Sequence, residues 1–324
     1  AATFTGTATD NTFESGTGGG IRLTPTSEFH GAVDNNMVRN NGVEGISLRS
    51  PVITNTDGSS NATISGNDGS GSLIGIGLAS IDPLIDITNN TADNSGSFGL
   101  LAGTNTFPGV ISGNQFNSSA VSGLVLATTS AFAGSVTNNT ANNAGSVGIA
   151  IDSLTVDGTI SNNTTNMNAA DGILVIARQT GTLTGFSGAI ENNTANSNGF
   201  NGLDLIGVTS VFEGALRSNT AMSNTLSGIR FEGAVFQGNT ESNVGSSNGL
   251  HGFELLAQSF NGGLLQNTTE GNALQGFKMT LNGSGPSAVN VIGNTVSANN
   301  VDAMSMVTAS QFLLENTGTG SAVV

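Results

Sequence analysis

Few residues in this 324-residue chain are equipped for chemistry: one lysine (Lys278), six arginines, two histidines (His30 and His251) and 22 carboxylates, with no cysteine, tryptophan or tyrosine. Acid–base work on a glycosidic bond needs two carboxyl groups about 5–10 Å apart, one with a raised pKa. Two weak candidates exist. Asp157 and Glu213 share one outward repeat position two coils apart, on the order of 10 Å at strand spacing. Asp82 and Asp86 flank Pro83-Leu84-Ile85. Neither pair has a basic or aromatic companion, and only Phe is left for stacking on a sugar. The two histidines lie far apart in the chain. No calcium nonapeptide, EF-hand or phosphate loop occurs. No catalytic residue, metal site or cofactor is therefore expected, and catalysis by Asp157, Glu213, Asp82 and Asp86 is only an alternative.

The net charge is −15, although only 9% of residues are charged. Seven basic residues cannot form a stripe that tracks phosphates, which excludes nucleic acid as a partner. The same shortage argues against an anionic membrane surface. No run of about 18 apolar residues exists, so no membrane insertion is expected. Low charge and abundant Asn, Thr, Ser and Gly suit an extracellular or cell-surface protein.

The elements that position these residues follow from a repeat. Asparagine recurs at positions 11, 36, 67, 90, 114, 139, 163, 193, 219, 239, 267, 294 and 316, in steps of 20 to 31 residues. A period of this size marks a solenoid. The residue three before each marker is apolar, as in Val33, Ile87, Ile190 and Phe236. Seven before it, Phe recurs (Phe4, Phe29, Phe107, Phe132, Phe186, Phe212, Phe260), with a Gly two residues later. Nine after it, a Gly opens a strand of the form Gly148-Ile-Ala-Ile151 or Gly202-Leu-Asp-Leu205. Apolar residues two apart on short runs mean strands with one face inward. The fold class is all-β: one domain, 1–324, of about thirteen coils of about 25 residues.

The Asn138-Asn139-Thr140 bend followed by Gly148-Ile-Ala-Ile151, repeated down the chain, resembles the right-handed parallel β-helix repeat family, the pectin-lyase-like superfold. The resemblance implies a right-handed parallel solenoid, the usual hand of parallel crossovers. It also brings in polysaccharide lyases and hydrolases, which use a Lys or Arg base and often carboxylate-bound calcium. A carbohydrate-active enzyme or glycan-binding module is thus the alternative function that the resemblance implies.

The marker column is expected to be scaffold. An inward amide supplies both donor and acceptor to a bend, and stacked amides bond along the axis. The expected ladder includes Asn90, Asn114, Asn139, Asn163, Asn193, Asn219, Asn267 and Asn294. The sequons at Asn61, Asn89 and Asn138 are by-products of the bend. Outward, Asp204, Arg230, Glu254 and Lys278 alternate in sign and predict a salt-bridge ladder. Gly77, Leu101, Val125, Ala150 and Leu174 form an apolar stripe; Leu265, Ile292 and Leu314 form a second. Such stripes mark contact surfaces. Thr9, Ser65, Thr88, Ser112, Thr137 and Ser161 form a hydroxyl ladder. No amphipathic capping helix stands at either end of the sequence, which predicts a segment of a longer repetitive protein or end-to-end stacking. The expected function is a non-catalytic structural or adhesive rod or filament subunit. The expected partner is the chain itself, end to end or laterally, with polysaccharide the alternative.

Overall fold

A computed structural model describes residues 3–54, 62–179, 184–284, 286–300, 312–316 and 322–323. The chain forms two compact units, Ala1–Ser153 and Leu154–Val324. Among the described residues the strands of each unit pair in parallel, in a broad sheet and a narrow sheet, with short corner strands or single bridges between them. No helix among the described residues is long and apolar enough to cross a membrane.

In the first unit the broad sheet stacks Ile21–Leu23, Glu44–Arg49, Ile74–Ser80, Phe98–Phe107, Ser122–Phe132 and Ile149–Ser153. Its narrow sheet runs from Thr3–Thr9 and Glu28–Asp34 to Ser135–Thr137. In the second unit the broad sheet stacks Ile173–Ala177, Leu203–Phe212, Ile229–Phe236, Phe253–Phe260, Phe277–Leu281 and Phe312–Asn316. Its narrow sheet runs from Thr159–Ser161 to Asn290–Ile292, and its corner sheet holds Thr220–Met222, Val244–Ser246, Thr268–Glu270 and Thr295–Ser297. Alternation on the broad strands puts Ile, Leu and Phe inward: Leu124, Leu126, Ile149, Ile151, Leu203, Leu205, Ile229 and Phe231 are 0–1% exposed.

The marker asparagines form the expected ladder. In the second unit Asn219 Nδ2 donates to Asn243 Oδ1 and to the Ile190 carbonyl, both at 2.9 Å, and the Asn219 backbone N–H donates to the same Oδ1. Each amide oxygen takes two bonds and each amide nitrogen gives two. Asn163, Asn193, Asn219, Asn243, Asn267 and Asn294 repeat this, as do Asn36, Asn67, Asn90, Asn114 and Asn139 in the first unit.

Two markers are corrected. Asn239 lies on a narrow-sheet strand, exposed, and Asn243 holds the ladder position. The steps on either side become 24 residues each. Asn316 lies on a broad-sheet strand paired with Leu281, not at a corner. Twelve markers remain, and the solenoid has about 11 turns.

The reframing at Asn243 moves Phe236 into the Phe column, where it packs. Phe186, Phe212, Phe236 and Phe260 stack with centroids 4.3, 4.7 and 4.5 Å apart and ring planes within 19°. This is the strand repeat of a parallel stack expressed in rings. The Gly two residues on is required by close approach: a Cβ on Gly188 would stand 1.9 Å from the Gly158 carbonyl oxygen.

A second ladder, five residues after the first, escaped the sequence reading. In the second unit Asn168, Asn198, Asn224, Asn248, Asn272 and Asn299 bond coil to coil at 2.6–3.1 Å. In the first unit the same positions are Asn41, Ser72, Ser95, Ser119 and Ala144. A serine is too short to receive Asn41 Nδ2, which is buried without a partner. The residue before each ladder position is left-handed, with φ near 55° at Asn89, Asn138, Asn162, Asn192 and Ser218 and at Asn94, Asn143, Ser197 and Ser223. The sequon asparagines Asn89 and Asn138 are these corner residues; Asn61 lies outside the described residues. Met167 (φ 57°) and Ala298 (φ 53°) hold the same conformation without a short polar side chain.

Left-handed backbone costs an ordinary L-residue about 1–2 kcal/mol. Met167→Asn and Ala298→Gly are therefore expected to raise stability by about 0.5–1 kcal/mol each, read as a higher urea midpoint. Asn219→Ala removes the acceptor of the Asn193 N–H and Nδ2. Two buried donors left unpaired cost about 1–3 kcal/mol each, so its midpoint is expected to fall well below that of wild type.

Candidate functional site: the polar face of the second broad sheet

The charged column is in register: Asp204 opposes Arg230, Arg230 opposes Glu254, and Glu254 opposes Lys278. It forms the expected ion pairs, Arg230–Asp204 at 2.9 Å and Lys278–Glu254 at 3.4 Å, and Arg230 also bonds Glu232. The side chains lie flat on the sheet: Asp204 and Glu254 are 10% and 16% exposed, Arg230 and Lys278 23% and 27%.

Beside this column runs a buried polar seam that sequence reasoning missed: Asp171, Asn201, Ser227 and His251, 0–6% exposed. Asn201 donates its backbone N–H and Nδ2 to Asp171 Oδ1 at 2.9 and 3.0 Å, and Nδ2 also reaches Asp204 Oδ2 at 3.4 Å. The Ser227 backbone N–H donates to Asn201 Oδ1, and Ser227 Oγ to Glu254 Oε2, both at 3.1 Å. The signal was present as a polar residue directly before the strand Gly in successive coils: Asp171-Gly172, Asn201-Gly202, Ser227-Gly228, His251-Gly252 and Gln275-Gly276.

Burial governs the protonation of this face. Desolvation pushes the Asp204 carboxyl up to about 6, with repulsion from Asp171 and Glu232 adding to it and Arg230 opposing it. Asp171 is raised by burial against its Asn201 bonds. His251 is lowered by burial, with Lys278 acting the same way and Glu254 and Glu315 against it. Its Nδ1 is buried without a partner. Arg230 is held charged by Asp204 and Glu232, which outweigh its own desolvation. The face thus holds one acid that titrates near neutrality beside a fixed cation.

The residue before the seam is apolar in the same coils: Phe200, 50% exposed, then Leu226, Leu250 and Leu274, half-buried. Their backbones are bonded rung to rung, Leu226 N to Phe200 O at 3.0 Å, Leu250 N to Leu226 O at 2.9 Å and Leu274 N to Leu250 O at 2.8 Å. This ridge flanks the seam on the side away from the charged column.

The other candidates separate. Leu101, Val125 and Ala150 are in register and half-buried on the first broad sheet. A concavity of about 280 Å³ lies over this sheet, lined by Gly77, Leu78, Leu101, Ala102 and Ala127 and bordered by the Arg49–Glu44 ion pair. Leu174 belongs to the second unit, in register with Asp204. Leu265 and Ile292 are neighbours on the narrow sheet, Ile292 56% exposed, beside a groove of about 620 Å³ lined by Asn239, Asn261, Leu265 and Asn290. Leu314 does not extend that stripe, because its strand is a broad-sheet strand that sets it opposite Met279. The hydroxyls of the first unit bond one another, Thr88 to Ser65 and Thr137 to Ser112 at 3.1 Å. Asp34, which accepts from Thr63 and Ser65, interrupts the column.

Asp157 and Glu213 are separated by the coil of Ser187, whose hydroxyl donates to Asp157 at 2.6 Å. Asp86 accepts the Val110 N–H at 3.0 Å. Asp82 opposes Val52 in the narrow sheet. Among the described residues no group of three His, Asp or Glu could hold a metal ion.

Comparison with known proteins agrees with this architecture. The family model described as the right-handed beta helix region matches residues 2–155. The A-module of mannuronan C-5 epimerase AlgE4 from Azotobacter vinelandii is similar in structure, with a TM-score of 0.63 at 16% identity over 94% of this chain and 91% of that one. The AlgE6 A-module of the same organism gives 0.47 at 12% identity over 99% and 91%. The Dettilon tailspike protein gives 0.38 at 13% identity over 96% and 60%. No curated protein sequence matches the chain. The chain has the parallel β-helix fold, and at these identities the likeness defines the fold alone.

The protonation of Asp204 has a consequence for stability. A carboxyl raised in the folded state binds its proton more tightly there than in the unfolded chain. Its contribution to stability therefore grows as pH falls from about 6 toward 4 and is lost as pH rises through that window. His251, lowered in the folded state, acts in the opposite sense, so the informative quantity is a difference. Relative to wild type, Asp204→Asn is expected to be more stable at pH 7 than at pH 4.5, the gap shifting by about 1–3 kcal/mol. Urea unfolding at both pH values measures it, and parallel curves would show that Asp204 titrates normally.

Proposed function

We propose that this chain is a non-catalytic extracellular structural or adhesive β-helix that works by lateral association with copies of itself. The observation that carries this reading is the broad-sheet surface. In the second unit the charges are paired along the axis within the scaffold, and Phe200, Leu226 and Leu250 run beside them; in the first unit half-buried Leu101, Val125 and Ala150 stand in register on the broad sheet. Contiguous apolar surface on a soluble scaffold marks contact sites. The composition, poor in charge and rich in Asn, Thr, Ser and Gly, supports an extracellular location.

One observation favours a second reading, a carbohydrate-active enzyme: Asp204, an acid raised to about 6 beside a guanidinium, has the protonation that glycan acid–base chemistry uses. The structurally similar A-module is that of a mannuronan epimerase, and an acidic polysaccharide is the substrate to try first.

Sedimentation velocity over a concentration series is expected to show reversible growth beyond the monomer, with mannuronan unchanged in length and proton spectrum after incubation. A monomer at every concentration would refute self-association. Conversion of the polysaccharide by wild type but not by Asp204→Asn would establish the second reading instead.

A further inference from the structure

We propose that the broad-sheet face of the second unit is a self-complementary interface, which pairs with the same face of a second copy in antiparallel orientation. This rests on the self-association reading above and adds the surface, the partner and the geometry.

The argument is one of charge order. Along the stack the column reads negative, positive, negative, positive: Asp204, Arg230, Glu254, Lys278. A two-fold axis lying in the plane of the face and across the coils reverses this order in the partner while keeping the column over itself. Asp204 then faces Lys278 of the other copy, and Arg230 faces Glu254. All four positions meet opposite charges, and the arrangement closes as a dimer. Parallel copies in the same register would put like charges together at every rung. A parallel pair slipped by one coil restores opposition at only some rungs and does not close. The coil spacing is shared by both copies, so charges that match at one rung match at all.

The same axis lays the apolar ridge over itself. Phe200 and Leu274 stand toward the two ends of the ridge with Leu226 and Leu250 between them, so the antiparallel partner brings leucine onto leucine at the centre. Exposed Phe200 and the half-buried leucines supply the desolvation that paired charges do not. The flat, mostly buried posture of the four charged side chains leaves a surface that can be approached closely.

Size and net charge agree. Four rungs of strands about eight residues wide cover roughly 19 by 26 Å, about 500 Å² per copy. That is near the lower limit of a specific interface, which predicts a reversible dimer rather than an obligate one. The chain carries a net charge of −15, which repels copies of itself over most of its surface. On these four rungs the two cations Arg230 and Lys278 offset most of the charge of Asp204, Glu232 and Glu254, with Glu315 standing on the next rung.

The test uses the full chain and sedimentation equilibrium, with thermal unfolding to confirm the fold of each variant. Glu254→Lys with Lys278→Glu keeps the pair between these residues within one chain but makes the column negative, positive, positive, negative. Every antiparallel contact is then between like charges, and the variant is expected to dimerise at least about tenfold more weakly, or about 1.4 kcal/mol. Asp204→Lys with Arg230→Glu gives the opposite column and is expected to fail in the same way alone. An equimolar mixture of the two variants opposes unlike charges at all four rungs and is expected to recover dimerisation. Should the second variant not fold, Leu226→Gln with Leu250→Gln tests the ridge independently and is expected to give a monomer. Dimerisation of the Glu254/Lys278 variant at wild-type strength would overturn the antiparallel pairing while leaving self-association intact. A wild type that never associates would overturn both.

Discussion

The whole architecture depends on satisfying backbone groups where strands turn. Parallel strands stacked at about 4.8 Å pair fully with the coils above and below, but each corner leaves N–H and C=O groups pointing into the core. Buried without partners they would cost about 1–3 kcal/mol apiece. The inward asparagine answers this because one amide both gives and takes. Its oxygen receives the backbone and side chain of the preceding coil, and its nitrogen reaches that coil's carbonyl and the next oxygen, as at Asn219. The bonds point one way along the axis, so each polarises the next. An amide ladder also enforces equality between coils. A corner of different shape would leave both neighbours unpaired, and the left-handed residue before each ladder position keeps that shape fixed.

Equality between coils explains the surface as well as the core. A residue that faces outward in one coil meets the equivalent residue of the next a few ångströms away. Apolar positions tolerate this and gain from it, as the Phe186–Phe260 stack shows. Charges do not: a column of one sign would repel at every rung. The second broad sheet carries charge only by alternating it, and the Arg230–Asp204 and Lys278–Glu254 pairs are the result. Alternation forced by stacking within one chain is also what makes a column complementary to its own reverse.

Most of this was legible in the sequence because it is periodic. The Asn period, the Phe column, the strand glycines and the signs of Asp204, Arg230, Glu254 and Lys278 all report a position that recurs. What was hidden lacked regularity or depended on depth. Asn239 was mistaken for a ladder residue because Phe236 stands three before it, whereas the true partner Asn243 has Thr240 at that place, fully buried beneath the corner. The second ladder was masked by Ser72, Ser95, Ser119 and Ala144, which break its period in the first unit. Leu314 was assigned to the wrong sheet because Asn316 was read as a corner. The seam was passed over since Asp171, Asn201, Ser227 and His251 share no residue type, only polarity and burial. Burial of this kind is produced by neighbours in other coils, and no local pattern announces it.

The seam also has a structural consequence that the apolar core cannot supply. Along the broad sheet the inward residues are Ile, Leu, Val and Phe in nearly interchangeable order, so sliding one coil by two residues would still bury apolar groups. The amides fix the corners but do not distinguish one coil from the next. Asp204 does, because it lies between Asn201 and Arg230 and titrates near neutrality. After a slip of two residues it would face Gly228 or Glu232 in place of Arg230, in surroundings that already oppose its charge. Its burial costs stability at neutral pH, while its position between Asn201 and Arg230 discriminates against that slip. The least regular residues of the second unit thus specify the register in which its most regular elements pair, and hence the alignment of charges that its face presents.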